Sequence, residues 1–246
     1  MEVNKMVFKS VLFTTLIFFT FLEGQLIAQT NSAEVFLNAG NALVAQERYG
    51  EAISEYAKVG PLQHELYSRA LYNIGVCYYE LMETEKAVLF YKKAIAIRKS
   101  YPRAAYALGI ALDDLKRPNE AKEAYLLASQ SGVIHGPALF KLGVIAANAG
   151  DLKTATRLFR LAILSEGAHG AASHNNLGVT LALQGNFNEA QIEFQLALAQ
   201  ADGAYPDAEH NLGLCHRMLQ TADVQARQAD YQFLINNPTV FEKEKL

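Results

Sequence analysis

The sequence has no dominant charge of either sign and lacks the short motifs typical of enzymes. Its formal net charge is −3, and it contains neither a basic stripe, typical of nucleic-acid-binding proteins, nor an acidic tail. It also lacks the glycine-rich loop that binds phosphate groups and the turn that presents a hydrolase nucleophile. We therefore expect no enzymatic activity, no cofactor and no nucleic-acid partner.

The six histidines lack the spacing of a metal site, because no two are four residues apart on one helix. His210 and His216 are six residues apart, which places them on different sides of a helix. Asp113 and Asp114 are neighbours, and neighbours on a helix diverge by about 100°. We expect these carboxylates to form a solvated edge and expect no metal ion.

The first residues differ in kind from the rest. Lys5 and Lys9 precede an uncharged, mostly apolar run from Val11 to Leu22, which is followed by a short segment ending at Ala28. This order is typical of a secretory signal peptide, so residues 1–28 are predicted to direct export to the periplasm or cell envelope. An uncleaved membrane anchor is the alternative, although the run is about half as long as a membrane-spanning helix requires.

One glycine recurs along the chain inside apolar helical patterns, at steps of 34 or 35 residues. A glycine within a helix costs about 1 kcal/mol relative to alanine, so a repeated glycine needs a repeated reason. Close approach of the backbone of a neighbouring helix is the expected reason. The glycines are Gly40, Gly75, Gly109, Gly143, Gly178 and Gly213.

Other positions keep the same period. Small residues stand twelve and nineteen residues after the glycine, as Ala190 and Ala197 do after Gly178, which predicts a notched second helix. An aromatic residue stands sixteen residues after it. These aromatic residues are Tyr56, Tyr91, Tyr125, Phe159 and Phe194.

This pattern resembles the tetratricopeptide repeat, whose period is about 34 residues and whose motif contains Leu-Gly on a first helix and Ala, an aromatic and Ala on a second. The resemblance covers about Ala33 to Ile235, places the repeat array at residues 33–237, and implies an all-α solenoid of about six helical hairpins in a right-handed superhelix. The expected repeats span residues 33–64, 65–101, 102–135, 136–169, 170–204 and 205–237, followed by a frayed tail at 238–246. The sixth repeat has Gln225 and Ala229 where alanine and an aromatic are expected, as in a terminal capping repeat.

The two cysteines are expected to remain free thiols. Cys77 and Cys215 stand at the same place in repeats four units apart, and stacked helices are about 8–10 Å from one another. A disulfide requires Cα atoms within about 7 Å, so we predict two buried thiols that pack as small apolar residues.

The resemblance also implies a partner-binding groove. In the tetratricopeptide family, a stripe on the first helices lines a concave surface that holds peptides or protein segments. Here that stripe, which we call the groove stripe, also contains Ile110, Asp114, Val144 and Asn148. Its candidate partner-binding residues are Arg69, Tyr72, Tyr79, Arg103, Tyr106, Asp113, Phe140, Asn175, Leu183, His210 and Met218.

Several interpretations of this stripe remain open. Its aromatic side chains are either binding anchors or packing between helices. A carboxylate clamp of the chaperone-binding type is not expected, because the first three repeats lack the matching lysines. We expect an exported scaffold that binds another protein. The alternatives are self-association through Leu183, Leu214 and Met218, and glycan or peptidoglycan binding through the tyrosines.

Overall fold

The computed structural model describes residues 32–130, 135–165, 170–220 and 235, and helices and turns without any strand make up this part of the chain. The contacts divide it into two units, one up to Lys99 and one from Ser100 onward. The single continuous array that the sequence predicts stays a prediction, because the contacts define only these two units.

The first unit contains helices that alternate with short turns. The first described helix contains the apolar residues Ala33 and Leu37, which lie on one face and are buried. The helices are α1 at residues 32–44, α2 at Tyr49–Tyr56, α3 at His64–Glu80 and α4 at Thr84–Ile97.

The second unit repeats the same alternation, and successive helices pack against each other. The helices are α5 at Pro102–Asp114, α6 at Pro118–Ser129, α7 at Gly136–Asn148, α8 at Leu152–Ile163, α9 at Gly170–Leu183, α10 at Phe187–Gln200 and α11 at Pro206–Gln220. Within each unit, the predicted all-α architecture of helical hairpins is confirmed.

The recurring glycine is required by a different neighbour from the expected one, which was the backbone of an adjacent helix. A Cβ atom on Gly178 would lie 2.6 Å from an edge carbon of the Phe194 ring, on the second helix of the same hairpin. Real Cβ contacts are not that short, so the ring occupies the space that a side chain would need. The neighbour that requires glycine is therefore an aromatic side chain and not a backbone. The same relation joins Gly40 to Tyr56, Gly75 to Tyr91, Gly109 to Tyr125 and Gly143 to Phe159.

A glycine followed by Asp or Asn predicts the end of one helix and the N-cap of the next, as at Gly150-Asp151 and Gly185-Asn186. Gly150 and Gly185 have φ values of +79° and +83°, in the left-handed region that glycine tolerates best. The Asp151 side chain caps α8 by accepting a hydrogen bond from the Thr154 N–H at 3.1 Å. Asn186 stands at the N-cap position of α10, but its side chain makes no capping hydrogen bond, contrary to expectation.

Each unit has an apolar core, and each of these cores contains one of the two cysteines. In the first unit, Cys77 packs with Leu37, Tyr56 and Ile74. In the second unit, Cys215 packs in a cluster that includes Phe140, Phe159 and Phe194. Both cysteines are buried and free, which confirms the prediction, and burial raises the Cys215 thiol pKa to about 11.

Three of the sequence-based predictions concern residues outside the described part of the chain. These are the signal segment at residues 1–28, the second helix of the sixth repeat around Gln225 and Ala229, and the tail at 238–246. Within the described ranges, none of the helices has the combined length and apolar character that a bilayer span requires.

Candidate functional site

The groove stripe of the first unit lies on α3. The Tyr72 ring is only 4% exposed and contacts the Tyr91 ring, with centroids 5.8 Å apart. Tyr79 is half-buried and Arg69 is exposed, so these two side chains remain accessible from solvent. The Tyr91 hydroxyl is buried and has no hydrogen-bond partner among the described residues.

The two other aromatic residues predicted as anchors are also buried. In the second unit, the Tyr106 ring contacts the Tyr125 ring and the Phe140 ring contacts the Phe159 ring, each pair with centroids 5.8 Å apart. The aromatic residue three positions before each recurring glycine therefore packs against the second-helix ring that occupies the space beside that glycine. Tyr72, Tyr106 and Phe140 consequently offer a partner little surface, and they support the alternative interpretation of this stripe as helix packing.

A cavity of about 350 Å³ opens between α5, α6 and α7 on the groove stripe. We call it the groove cavity. Five of its lining residues belong to the stripe predicted from the sequence: Ile110, Asp113, Asp114, Val144 and Asn148. The sequence predicts that the two carboxylates diverge, and the cavity is wide enough that both line it.

The groove cavity holds charges of both signs. The Tyr125 hydroxyl donates a 2.6 Å hydrogen bond to Asp113 Oδ2, and burial together with this bond raises the tyrosine pKa far above its usual value. Lys141 also lines the cavity and is 4% exposed. Burial lowers the Lys141 pKa, and the nearby carboxylates of Asp113 and Asp114 oppose this effect. Lys116 also lines the cavity, so two carboxylates face two lysines and the cavity offers a partner charged groups of both signs.

His135 lies beside Tyr106 of the groove stripe and was not identified as a site residue from the sequence. Its Nδ1 accepts a 3.3 Å hydrogen bond from the Ala138 N–H at the start of α7, and its ring lies 5.2 Å from the Tyr106 ring. Burial, with a smaller contribution from the positive charge of Arg103, lowers the His135 pKa from about 6.5 to about 4. Arg103 itself is exposed. His135 is therefore neutral near pH 7 and acts as a helix cap.

The C-terminal part of the stripe is less accessible than expected. Asn175 is fully buried and accepts a 2.9 Å hydrogen bond from the Asn211 amide, across one repeat. Met218 is also fully buried, whereas Leu183 and His210 are exposed. The proposed self-association surface of Leu183, Leu214 and Met218 is therefore corrected, because Leu214 and Met218 lie in the interior and leave only Leu183 at the surface.

The remaining titratable groups do not form a reactive constellation. His174 is 8% exposed, and its Nδ1 lies 2.6 Å from Glu193 Oε2 on the neighbouring helix, a pair that the sequence did not predict. In the described ranges, no three His, Cys, Asp or Glu side chains are grouped closely enough to hold a metal ion. The arrangement is suited to binding, and the absence of enzymatic activity stays a prediction.

Comparison with protein families confirms the repeat. Two models of the tetratricopeptide repeat match the chain, one over residues 24–100 and the other over residues 102–130. These two stretches therefore match the tetratricopeptide repeat. No curated protein matches the sequence.

Solved structures resemble the chain in fold. The structure of PilF from Pseudomonas aeruginosa matches with a TM-score of 0.64 and 18% identity, covering 82% of this chain and 90% of that one. MamA matches with a TM-score of 0.56 and 20% identity, over 70% of this chain and 93% of its own. YrrB, described as a tetratricopeptide repeat protein with an unusual peptide-binding site, matches with a TM-score of 0.53 and 23% identity, over 79% and 98%.

These identities are low, so the likenesses show a shared fold and do not transfer a partner. The fold that they share with this chain is built from helical repeats. The predicted role in binding another protein stays a prediction at this level.

Proposed function

We propose that this protein is an exported scaffold that binds a segment of another protein at the groove cavity, within an assembly of the cell envelope. The observation that carries the proposal is the agreement between sequence and structure at the cavity. Five residues of the groove stripe, which was defined from the repeat spacing and the family resemblance, line a cavity of about 350 Å³. Repeat proteins commonly use this first-helix surface for binding.

The chemistry of the cavity supports a peptide partner. Asp113 and Asp114 supply carboxylates, Asn148 supplies an amide, and Ile110 and Val144 supply apolar surface. Binding sites usually combine apolar surface with a few polar groups, and they are largely preformed. YrrB has the same fold and is described as having a peptide-binding site, which favours a peptide over a small molecule.

Export rests on the sequence. Lys5 and Lys9 followed by the apolar run from Val11 to Leu22 have the order of a signal peptide. The proposed compartment is the periplasm or cell envelope, with the membrane involved only if the segment remains uncleaved. Fractionation of cells that produce the full chain tests this, and recovery of the intact chain in the cytoplasm would contradict it.

A capture experiment tests the binding proposal. The immobilised chain should retain a specific protein from an envelope extract. The double variant Asp114→Ala/Asn148→Ala should retain at least about tenfold less of that protein, because both side chains are exposed at the cavity. The matched control, Lys122→Ala/Glu123→Ala, changes two exposed residues on α6 and should bind as the original chain does. Equal capture of every protein by all three chains would contradict the proposal.

A further inference from the structure

A second cavity, of about 560 Å³, lies beside α8 and shares no lining residue with the groove cavity. We call it the basic cleft. Its walls come from α8, from the turn between α9 and α10, and from the first turn of α10. Its lining residues are Lys153, Thr154, Thr156, Arg157, Arg160, Leu161, Leu181, Gln184, Asn186 and Glu189.

Three cations line one face of α8 in this cleft. Lys153, Arg157 and Arg160 are spaced by four and three residues, which places them on one side of the helix over a length of about 10 Å. All three are exposed. Glu189 is the one carboxylate in the lining, so three positive charges and one negative charge give the cleft a local charge of +2.

This cluster is not a general property of the repeat. The three cations stand 10, 14 and 17 residues after the recurring glycine of their repeat, and the equivalent positions on α4, α6 and α10 are mixed in character. Those positions hold Glu85, Leu89 and Lys92, then Asn119, Glu123 and Leu126, and then Asn188, Ile192 and Gln195. The repeat fold therefore does not require cations there, and α8 differs from the equivalent helices in this respect.

The contacts of the three cations indicate the kind of group that the cleft accepts. Arg160 forms an ion pair with Glu189 at 3.4 Å, so a carboxylate already lies at one end of the cleft. Lys153 and Arg157 form no ion pair with a described residue, and they lower the Asp151 pKa only as minor contributors behind its hydrogen bonds to Thr154. Two of the three cations therefore remain available to an external anion.

We propose that the basic cleft is a second docking site, which binds an acidic segment of a polypeptide partner. Carboxylates spaced three or four residues apart in an extended segment match the length of about 10 Å over which the cations are spread. The cleft is larger than a single ion requires. Nucleic acid is a poorer fit, because the lining contains no aromatic side chain to stack on a base and the whole chain is negatively charged.

The floor of the cleft is held in a fixed arrangement. The Gln184 amide donates to Thr156 Oγ1 at 2.7 Å and to the Leu152 carbonyl at 3.3 Å, which ties the end of α9 to α8. Thr156 Oγ1 also lies 3.3 Å from Thr180 Oγ1. These bonds join the two repeats that form the cleft, so its cations project from a preorganised surface.

Fluorescence polarisation with labelled hexaglutamate as the probe tests the proposal on the full chain. At about 50 mM salt, the peptide should bind, and Lys153→Gln/Arg157→Gln should weaken binding by about tenfold. Glu189→Gln should strengthen binding several-fold, because it removes the carboxylate that competes for Arg160. The control Lys99→Gln/Lys122→Gln removes two exposed cations elsewhere and should change the affinity less than about twofold.

Three results would overturn the proposal. The first is failure of the original chain to bind the peptide. The second is equal weakening by the cleft variant and the control variant, which would show only a general attraction between charges. The third is tighter binding of a short single-stranded oligonucleotide than of the peptide, which would assign the cleft to nucleic acid. Circular dichroism of each variant confirms that the helices are retained.

Discussion

Gly178 and Phe194 fit together so closely that a methyl group on the glycine would lie 2.6 Å from the aromatic ring. The two residues belong to the two helices of one hairpin, and the same pairing recurs at four other glycines. Phe194 is fully buried, and burying such a ring contributes roughly 1.5–3 kcal/mol. The glycine permits this burial, which explains why a residue unfavourable to helices is found at the same place in successive repeats.

The first prediction follows from this pair. Gly178→Ala should lower the free energy of unfolding by up to about 2 kcal/mol, because overpacking costs about 1–3 kcal/mol and the gain in helix propensity offsets about 1 kcal/mol of it. Gly213→Ala is the control, since the nearest atom to its added Cβ is an Arg217 nitrogen at 3.7 Å. It should raise stability by up to about 1 kcal/mol, as measured by urea unfolding. Stabilisation by both changes would show that the Phe194 ring does not occupy the space beside Gly178.

The second prediction compares two buried tyrosines at the same repeat position. The Tyr125 hydroxyl is bonded to Asp113, whereas the Tyr91 hydroxyl is buried without a partner in the described structure. Tyr125→Phe should therefore destabilise the protein by about 1–2 kcal/mol, and Tyr91→Phe should be neutral or stabilising by about 1 kcal/mol. Equal losses in urea unfolding would mean that the Tyr91 hydroxyl has a partner.

The third prediction concerns the buried amide pair of Asn175 and Asn211, which joins consecutive repeats at 2.9 Å. Each single change to leucine should destabilise by about 1–3 kcal/mol, because it removes one partner of a buried polar group. The double change should cost less than the sum of the two, with a coupling of at least about 0.5 kcal/mol. Strict additivity in this double-mutant cycle would contradict the hydrogen bond.

The fourth prediction is a pH dependence from His135. Its pKa is lowered from about 6.5 to about 4, so between these values the unfolded chain binds more protons than the folded one. This contribution to stability is present above pH 6.5 and is lost as the pH falls toward 4, by on the order of 2 kcal/mol. Asn keeps a capping acceptor without titrating, so His135→Asn should lose less stability over this interval. Identical pH profiles from chemical unfolding would exclude His135 as the cause.

The sequence predicted the framework of the fold because the packing residues repeat. Residues that recur in several copies predicted the alternation of helices, the period of the glycine and the aromatic residue sixteen positions after it. The spacing of the repeats also predicted the free cysteines. Gly185 is similarly confirmed as a left-handed turn residue. Periodicity of this kind indicates which face of each helix packs against other helices.

Burial depth within that face could not be predicted in the same way. Tyr106 and Asn175 occupy the groove stripe by spacing, but the first turns toward a second-helix ring and the second bonds across to the next repeat. Those contacts depend on particular partners in other helices, and spacing along one helix does not contain them. The capping role of His135 and the burial of Lys141 were missed for the same reason.

The groove cavity is tested most directly by site-specific photo-cross-linking. A photoreactive residue replaces Asn148, which lines the cavity, or Glu123, which is exposed on α6 and does not line it. In cells that produce the full chain, irradiation should yield a discrete adduct with a second protein from position 148 and none from position 123. The adduct should disappear when Asp114→Ala is added. The same adducts from both positions, or none from position 148, would contradict binding at the cavity.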